Sequence, residues 1–560
     1  MLTTRLIKKC WQDASNYTEK DVDFLLEEND WNDFSYYTTY HLHITRRQVT
    51  QSEGAVYLGS ILIMKLGQKE AECNLVRMDL KREEIFHELP QGFYSITFSI
   101  DVYKGLARYL TKEEREEFIR NFRLILKVDD EYYPQVKDDV CFQTSLMRGG
   151  NMDSYSLQKG RELLLQEGMQ YNLREKQVTV KYTDSKTSVV LDFSAIKGID
   201  STVLPNGIIV FIGKNGSGKS TALYKLAALL YSDPSDRSRY MTKVGKIEPS
   251  NLGISQLMIF SYSPFDNFIL PGENGDADLV LWAKNIEERT GRFVFCGLRD
   301  VKAEAELLIE ARKHNQTEQI SFRTGNIRLK EQSALAKESK EAYKIIENEI
   351  SKQKEWNECV RSMKESQNEL YQMAENLMFS DFVASRSWDD VFQNLSTGCK
   401  FFFHSILHII AYCEENAMLL FDEPENHLQA PLLSFMMAEI RKILNKRKSV
   451  MLIATHSPII LQETLAKNVR IVRREGENVS FVQPSIETFG ESFGAISSEV
   501  FDLTTDRVQY FKAVDEIYLN QDCRNAKNAQ EVVDAIDKKM GGISSQTIQY
   551  VVAKYINDKR

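Results

Sequence analysis

Residues Gly213-Lys214-Asn215-Gly216-Ser217-Gly218-Lys219-Ser220 complete a G-x-x-x-x-G-K-S octet. Residue types at this spacing suit a loop that holds a polyphosphate. Gly213, Asn215, Gly216 and Gly218 let the backbone curl so that successive N–H groups point inward, and a following helix adds the positive end of its dipole. Lys219 is then placed to reach the β- and γ-phosphates, and the Ser220 hydroxyl to ligate Mg²⁺, with Thr221 in the same turn. The flanking residues agree with this reading. Ile208-Ile209-Val210-Phe211-Ile212 is an unbroken apolar run suited to a buried parallel strand, and Leu223, Leu226, Leu229 and Leu230 recur at helical spacing.

A phosphate loop alone leaves kinase, GTPase, helicase and ABC-type ATPase open. Downstream residues narrow the choice. Ala417-Met418-Leu419-Leu420-Phe421-Asp422-Glu423 is an apolar strand ending in two carboxylates, which the carboxyl edge of a parallel sheet would turn towards the loop. Asp422 is placed to hold Mg²⁺ through its water shell, since that ion keeps oxygen ligands and several waters. Glu423 is placed to orient or deprotonate an attacking water; the plainer alternative is a cap on the next turn. Val450-Met451-Leu452-Ile453-Ala454-Thr455 predicts another buried strand, closed by His456, whose neutral imidazole could hydrogen-bond a phosphate oxygen. Asn394-Leu395-Ser396-Thr397-Gly398 precedes a helical run, and Ser396 and Gly398 at a helix N-terminus make a second anion-binding element.

Taken together, G-K-N-G-S-G-K-S-T, L-S-T-G-C-K, L-L-F-D-E-P-E-N-H-L and A-T-H-S-P make residues 178 to 500 similar to the RecF/SMC/OLD-like branch of ABC ATPases. The resemblance implies an α/β fold with an ABC-type P-loop ATPase core, to which the residue patterns outside its motifs add a helical insertion and a separate mixed α/β N-terminal domain. It implies ATP and Mg²⁺ as cofactors, Ser396 and Gly398 as the signature, and His456 as the γ-phosphate switch. It further implies a homodimer, or a higher oligomer, in which the signature of one subunit meets the γ-phosphate held by Lys219 of another. Phe260-Ser261-Tyr262-Ser263-Pro264-Phe265-Asp266 and Thr488-Phe489-Gly490-Glu491-Ser492-Phe493-Gly494 resemble the ATPase subunit of Septu-type bacterial antiviral systems. In those systems such an ATPase partners an HNH nuclease, so the expectation is a cytoplasmic ATPase that controls a partner nuclease and is not itself one. The chain departs from the branch in places. Gln256 precedes its strand, where a Q-loop glutamine would end it, which leaves Ser263 or Asp266 as the nearby polar groups. Cys399 and Lys400 replace the residues that often follow the signature glycine, and Tyr182 is the best candidate for stacking on adenine.

These motifs sit on a chain of 560 residues, long enough for two or three domains. Apolar content of 42% and charged content of 27% are ordinary for a soluble protein, and no apolar run reaches membrane-span length. Eight cysteines without a C-x-x-C pair argue against a zinc finger or disulfide framework. A net charge of −9 excludes a globally basic nucleic-acid binder, although a local groove for DNA or RNA stays open because exposed charges are screened within about 8 Å.

Residues 1–175 are expected to form a mixed α/β accessory domain, with strands at 55–64 and 93–100 and a helix opened by the capping box Thr111–Glu114. Residues 148–156 read as a loop, and strands at 178–182 and 188–193 lead into the phosphate-loop strand. The first ATPase lobe is assigned to 176–300, a helical insertion or arm to 301–392, the second lobe to 393–480, and a helical region to 481–560. No glycine or proline occurs between Asn326 and Thr397, which favours long helices, either as an antiparallel arm or as a subdomain packed on the core. Three other functions compete: a repair ATPase clamping DNA through Arg441, Lys442, Lys446, Arg447 and Lys448; a nuclease with a C-terminal Toprim domain; and an ATP-dependent scaffold. Too few residues follow His456 for a Toprim domain.

Overall fold

A computed structural model describes residues 1–7, 22–28, 35–45, 55–71, 80, 84–149, 152–167, 172–194, 205–231, 244–249, 252–264, 293–304, 306–307, 328–366, 392–501 and 509–558. Asp266 lies outside them, as do residues 272–278, which the sequence reads as a polar, acidic turn.

The first domain has β1 (Thr4–Ile7), β2 (Phe24–Glu28), β3 (Thr39–Ile44), β4 (Val56–Lys65), β5 (Ile85–Phe86) and β6 (Phe93–Ile96) in the order β5-β1-β2-β3-β4-β6. Only the β1–β2 pair is parallel. Helices α1 (Ile100–Tyr109), α2 (Lys112–Asn121) and α3 (Tyr155–Leu165) are its longer helices, with short helical turns at Tyr133–Val136 and Val140–Thr144. Strand β6 stops short of the expected Ile100 because Thr97 Oγ1 accepts the Ser99 N–H at 3.0 Å, a local turn that leads into α1. The predicted capping box is present: Glu114 N–H donates to Thr111 Oγ1 at 3.3 Å, and Thr111 N–H to Glu114 Oε2 at 2.9 Å. The end of the predicted loop at 148–156 is helical, since α3 begins at Tyr155. Leu26, Leu42, Ile61, Ile96, Tyr103 and Phe118 belong to a core drawn wholly from residues 2 to 164, so this region buries its own apolar surface.

The rest of the β-structure is β7 (Gln177–Tyr182), β8 (Val189–Asp192), β9 (Ile208–Ile212), β10 (Gly245–Glu248), β11 (Leu257–Ser261), β12 (Phe293–Gly297), β13 (Met418–Asp422), β14 (Val450–Thr455), β15 (Val469–Glu475) and β16 (Asn478–Val482). Strands β7 and β8 pair with each other and, with β10, form a separate three-stranded sheet. The main sheet runs β12-β11-β13-β14-β9-β15-β16, parallel except for the antiparallel edge strand β16. Strands β9, β11, β12, β13 and β14 are buried along their whole length, as continuous apolar runs covered on both faces should be. Alternation divides them: Ile208, Val210, Leu419 and Phe421 face one core, while Ile209, Phe211, Met418 and Leu420 face the other.

Helices α4 (Lys219–Tyr231), α5 (Gln332–Glu347), α6 (Ile350–Glu365), α7 (Thr397–Tyr412), α8 (Ala430–Lys446), α9 (Gln509–Tyr518), α10 (Ala529–Met540) and α11 (Ser545–Asp558) complete the principal elements. Helix α4 lies over the second core. Helices α5 and α6, where an arm was one expectation, are packed on the first core. Trp356 is buried between Tyr343 and Phe403, with ring centroids 6.5 and 6.2 Å away, and shares a cluster with Val210 and Phe260 of the sheet. Helices α9 to α11 form a small cluster of their own around Val514, Val532, Ile536 and Val551. Among the described residues no helix is long and apolar enough to cross a membrane.

Replacing Trp356 by Ala should cost about 3–5 kcal/mol, the usual range for emptying a buried aromatic site. Urea unfolding monitored by circular dichroism checks this; a loss below about 1 kcal/mol would mean that α6 is only loosely attached.

Candidate functional site

The octet lies between β9 and α4, at the carboxyl edge of the main sheet. Gly216 and Gly218 have φ of +76° and +100°, in the region that favours glycine, so two of its positions need the residue that stands there. Gly213 is required for a different reason: a Cβ there would meet the Val472 carbonyl oxygen at 2.4 Å. Lys214, Asn215, Gly216 and Thr221 are exposed, whereas Lys219 is buried. The Lys219 ammonium curls back into the loop and donates to the carbonyls of Gly213 at 3.0 Å and Lys214 at 3.2 Å. Burial pushes its pKa below the ordinary lysine value, against the upward pull of the Glu423, Asp422 and Glu425 carboxylates. The Ser217 hydroxyl is buried in the same loop without a hydrogen-bond partner. A loop with this curl, a buried ammonium and helix N–H groups beyond it fits an anionic polyphosphate.

Strand β13 delivers Asp422 to the same edge. Ser220 Oγ donates to Asp422 Oδ1 at 2.8 Å, and the Tyr224 hydroxyl donates to Oδ2. A hydroxyl and a carboxylate in contact are an oxygen-rich pair suited to Mg²⁺ and its waters. Glu423 sits in the left-handed region at φ +47°, unusual for a residue other than glycine. Its N–H donates to the Ala454 carbonyl at 2.8 Å, and Asn426 Nδ2 donates to its Oε2 at 2.8 Å. These contacts hold a strained residue in place, as functional positions often require.

His456, at the end of β14, is exposed. Its Nδ1 lies 3.8 Å from Glu423 Oε1 and 3.2 Å from Glu425 Oε1. Glu425 Oε1 also accepts from Thr455 Oγ1 at 2.6 Å and from the His456 N–H at 2.7 Å. One carboxylate therefore fixes the strand end that carries the histidine. The fold brings Lys219, Ser220, Asp422, Glu423 and His456 to one edge. It does not bring Ser396 or Gly398 into that group: among the described residues no hydrogen bond joins them to residues 213–220. Ser396 caps α7, accepting the Cys399 N–H at 3.3 Å, and a Cβ on Gly398 would meet the His427 carbonyl oxygen at 2.5 Å. Ser396 is exposed.

Several expected residues lie elsewhere. Tyr182 is 2% exposed and stacks on Phe481 at 5.4 Å inside the core, so it offers no face to a base. Gln256 is at the opposite end of β11, where its Oε1 accepts the Glu414 N–H at 3.3 Å. At the site end of that strand Ser261 is aligned with Asp422, and its buried hydroxyl has no hydrogen-bond partner. Four of the five cations in the basic cluster at the end of α8 are ion-paired within the chain, Arg441 with Glu463 at 3.5 Å, Lys442 with Glu439 at 2.6 Å, Lys446 with Glu358, and Arg447 with Glu355 at 2.6 Å, while Lys448 is exposed.

Tyr224, Glu425 and Asn426 were not singled out from sequence. Glu425 and Asn426 fall inside the quoted acidic motif, whereas Tyr224 carried no signal. The first domain also holds a polar cluster that its sequence did not reveal: His43 Nε2 is 2.9 Å from Glu27 Oε2, His41 Nδ1 is 2.7 Å from the Tyr57 hydroxyl, and that hydroxyl is 3.2 Å from Ser60 Oγ. Alternate positions 41 and 43 on β3 were the available clue.

No protein-family profile matches the chain. It is similar to Protein ea59 of Escherichia phage lambda, with 26% identity over 501 residues covering 88% of each chain.

The Gly398–His427 approach gives a direct check on this geometry. Gly398→Ala should destabilise the protein by about 1–3 kcal/mol, the range for overpacking, because backbone must move. Gly494→Ala, where a Cβ would meet nothing within 4 Å, is the matched control in thermal melts. Equal melting temperatures for the two variants would contradict the packing of α7 against the 423–428 turn.

Proposed function

We propose that this chain is an ABC-type P-loop ATPase of the RecF/SMC/OLD-like branch, which binds ATP with Mg²⁺ and hydrolyses it between two copies of itself. The observation that carries this reading is the convergence of Lys219, Ser220, Asp422, Glu423 and His456 at one sheet edge. The curled loop and Lys219 hold the triphosphate. Ser220 and Asp422 hold the ion, which when bound supplies positive charge that neutralises phosphate oxygens. Glu423, fixed by Asn426, orients a water and accepts its proton. His456, held by Glu425, hydrogen-bonds the terminal phosphate and reports its loss.

Ser396 and Gly398 support a composite site. They form an exposed helix N-terminus, suited to an anion presented by a second subunit. Closure of such a dimer is a population shift driven by tighter ATP binding in the closed state. In this reading the nucleotide state regulates a partner, and the Septu resemblance makes that partner an HNH nuclease in a bacterial antiviral complex. A direct DNA clamp is less well supported, because Arg441, Lys442, Lys446 and Arg447, four of the five cations it would use, are paired with Glu463, Glu439, Glu358 and Glu355. A Toprim nuclease also lacks support, since the described residues from 493 to 558 supply helices and no strand.

Glu423→Gln should retain ATP binding, lower turnover by about 10²–10⁴-fold and accumulate an ATP-bound dimer. Lys219→Ala should lose ATP binding in calorimetry while keeping its far-ultraviolet circular dichroism. Unchanged turnover in the first variant removes Glu423 from catalysis. Undiminished affinity in the second removes the loop from nucleotide binding.

A further inference from the structure

Helix α7 carries a second set of chemically competent side chains that the proposed ATPase does not use. His404 and His408 stand one turn apart on its buried face, at 1% and 0% exposure, and Glu338 of α5 meets them. Each of the three residues offers a ligand atom, and these atoms lie within 4.8 Å of one another. His404 Nε2 is 3.1 Å from Glu338 Oε2. The other ring nitrogens are engaged by groups that fix ring orientation: His404 Nδ1 lies 2.8 Å from the Tyr262 hydroxyl, and His408 Nδ1 donates to the His404 carbonyl at 2.6 Å. The Tyr262 hydroxyl is held in turn 2.7 Å from Ser405 Oγ. Imidazoles that ligate metals are oriented by hydrogen bonds of this kind at their second nitrogen.

We propose that Glu338, His404 and His408 form a binding site for a divalent transition metal of the zinc class. Two imidazoles with one carboxylate suit Zn²⁺ or Co²⁺, whereas Mg²⁺ takes oxygen ligands. Zinc bonds of about 2.0–2.1 Å place neighbouring tetrahedral ligand atoms about 3.3 Å apart. The His404–Glu338 separation already has about that size, and rotation of the His408 ring, which stacks on His404 with centroids 4.0 Å apart, brings the other two edges, each within 4.8 Å, to it. Lys330 Nζ lies 2.9 Å from Glu338 Oε1 and 3.1 Å from Oε2. Its charge balances Glu338 without metal and opposes an ion, so the bound state leaves Lys330 on Oε1 and the metal on Oε2. The site would pin α5 to α7, the helix that begins beside Ser396, and through Tyr262 to the segment after β11. Metal binding would therefore stiffen the joint between the helical segment and the main sheet.

The test uses the full chain, stripped by chelator and titrated with Co²⁺ or Zn²⁺ in excess Mg²⁺. The expected result is one equivalent bound per chain, visible absorption from tetrahedral Co²⁺, and a higher melting temperature with metal, as selective binding to the folded state requires. His404→Gln and His408→Gln should each abolish the cobalt absorption, and Tyr262→Phe should weaken binding by about tenfold or more. Lys330→Met should tighten it, an effect that misfolding cannot imitate and that decides the matter if the histidine variants fold poorly. Absence of saturable binding, binding undisturbed in folded histidine variants, or unchanged or weaker binding in Lys330→Met would overturn the proposal.

Discussion

Register in the parallel ladder β13-β14-β9 is the constraint on which the site depends. Asp422 pairs with Ala454, and Ala454 with Phe211, so the three strands end at one level. The phosphate-type loop, the two carboxylates and the histidine leave the sheet side by side for that reason. A one-residue slip would exchange every core side chain between the two faces, and each face is filled by a different apolar cluster. The hydrophobic packing that stabilises the sheet thus also fixes where Ser220 meets Asp422.

Around that frame, short polar contacts convert proximity into orientation. Tyr224 and Ser220 grip Asp422 from one helix. Glu425 fixes the end of β14, and Asn426 with the Ala454 carbonyl holds Glu423 in its left-handed conformation. Burial works against the charge of Lys219, so an incoming polyanion would find an ammonium already stripped of most of its water.

The octet and its flanking strand and helix were legible because its glycines have backbone reasons to exist, seen in the positive φ of Gly216 and Gly218 and the close approach at Gly213. The strand positions of Asp422 and His456 were legible from apolar runs that stop abruptly. Strand order was not, since continuous apolar runs look alike and carry no pairing information. Tyr182 misled because an aromatic in a strand reads the same whether it faces a ligand or stacks on Phe481. The pairing of Lys446 and Arg447 could not be read from sequence, because their partners Glu358 and Glu355 lie on another helix, far away in sequence. Local composition could not show that the charges cancel. The same limit hid the Glu338, His404 and His408 group, which only the packing of α5 on α7 assembles.

To the single-chain convergence the proposed reading adds a site shared between two chains, with the loop of one meeting Ser396 and Gly398 of another. Complementation by mixing tests it most directly. A Lys219→Ala chain and a Ser396→Arg chain are each expected to be silent in ATP turnover. Mixed under conditions that allow subunit exchange, they form heterodimers with one intact composite site, and turnover is predicted to return. Full activity of Ser396→Arg alone, or a mixture that stays silent although heterodimers form, would contradict the shared site.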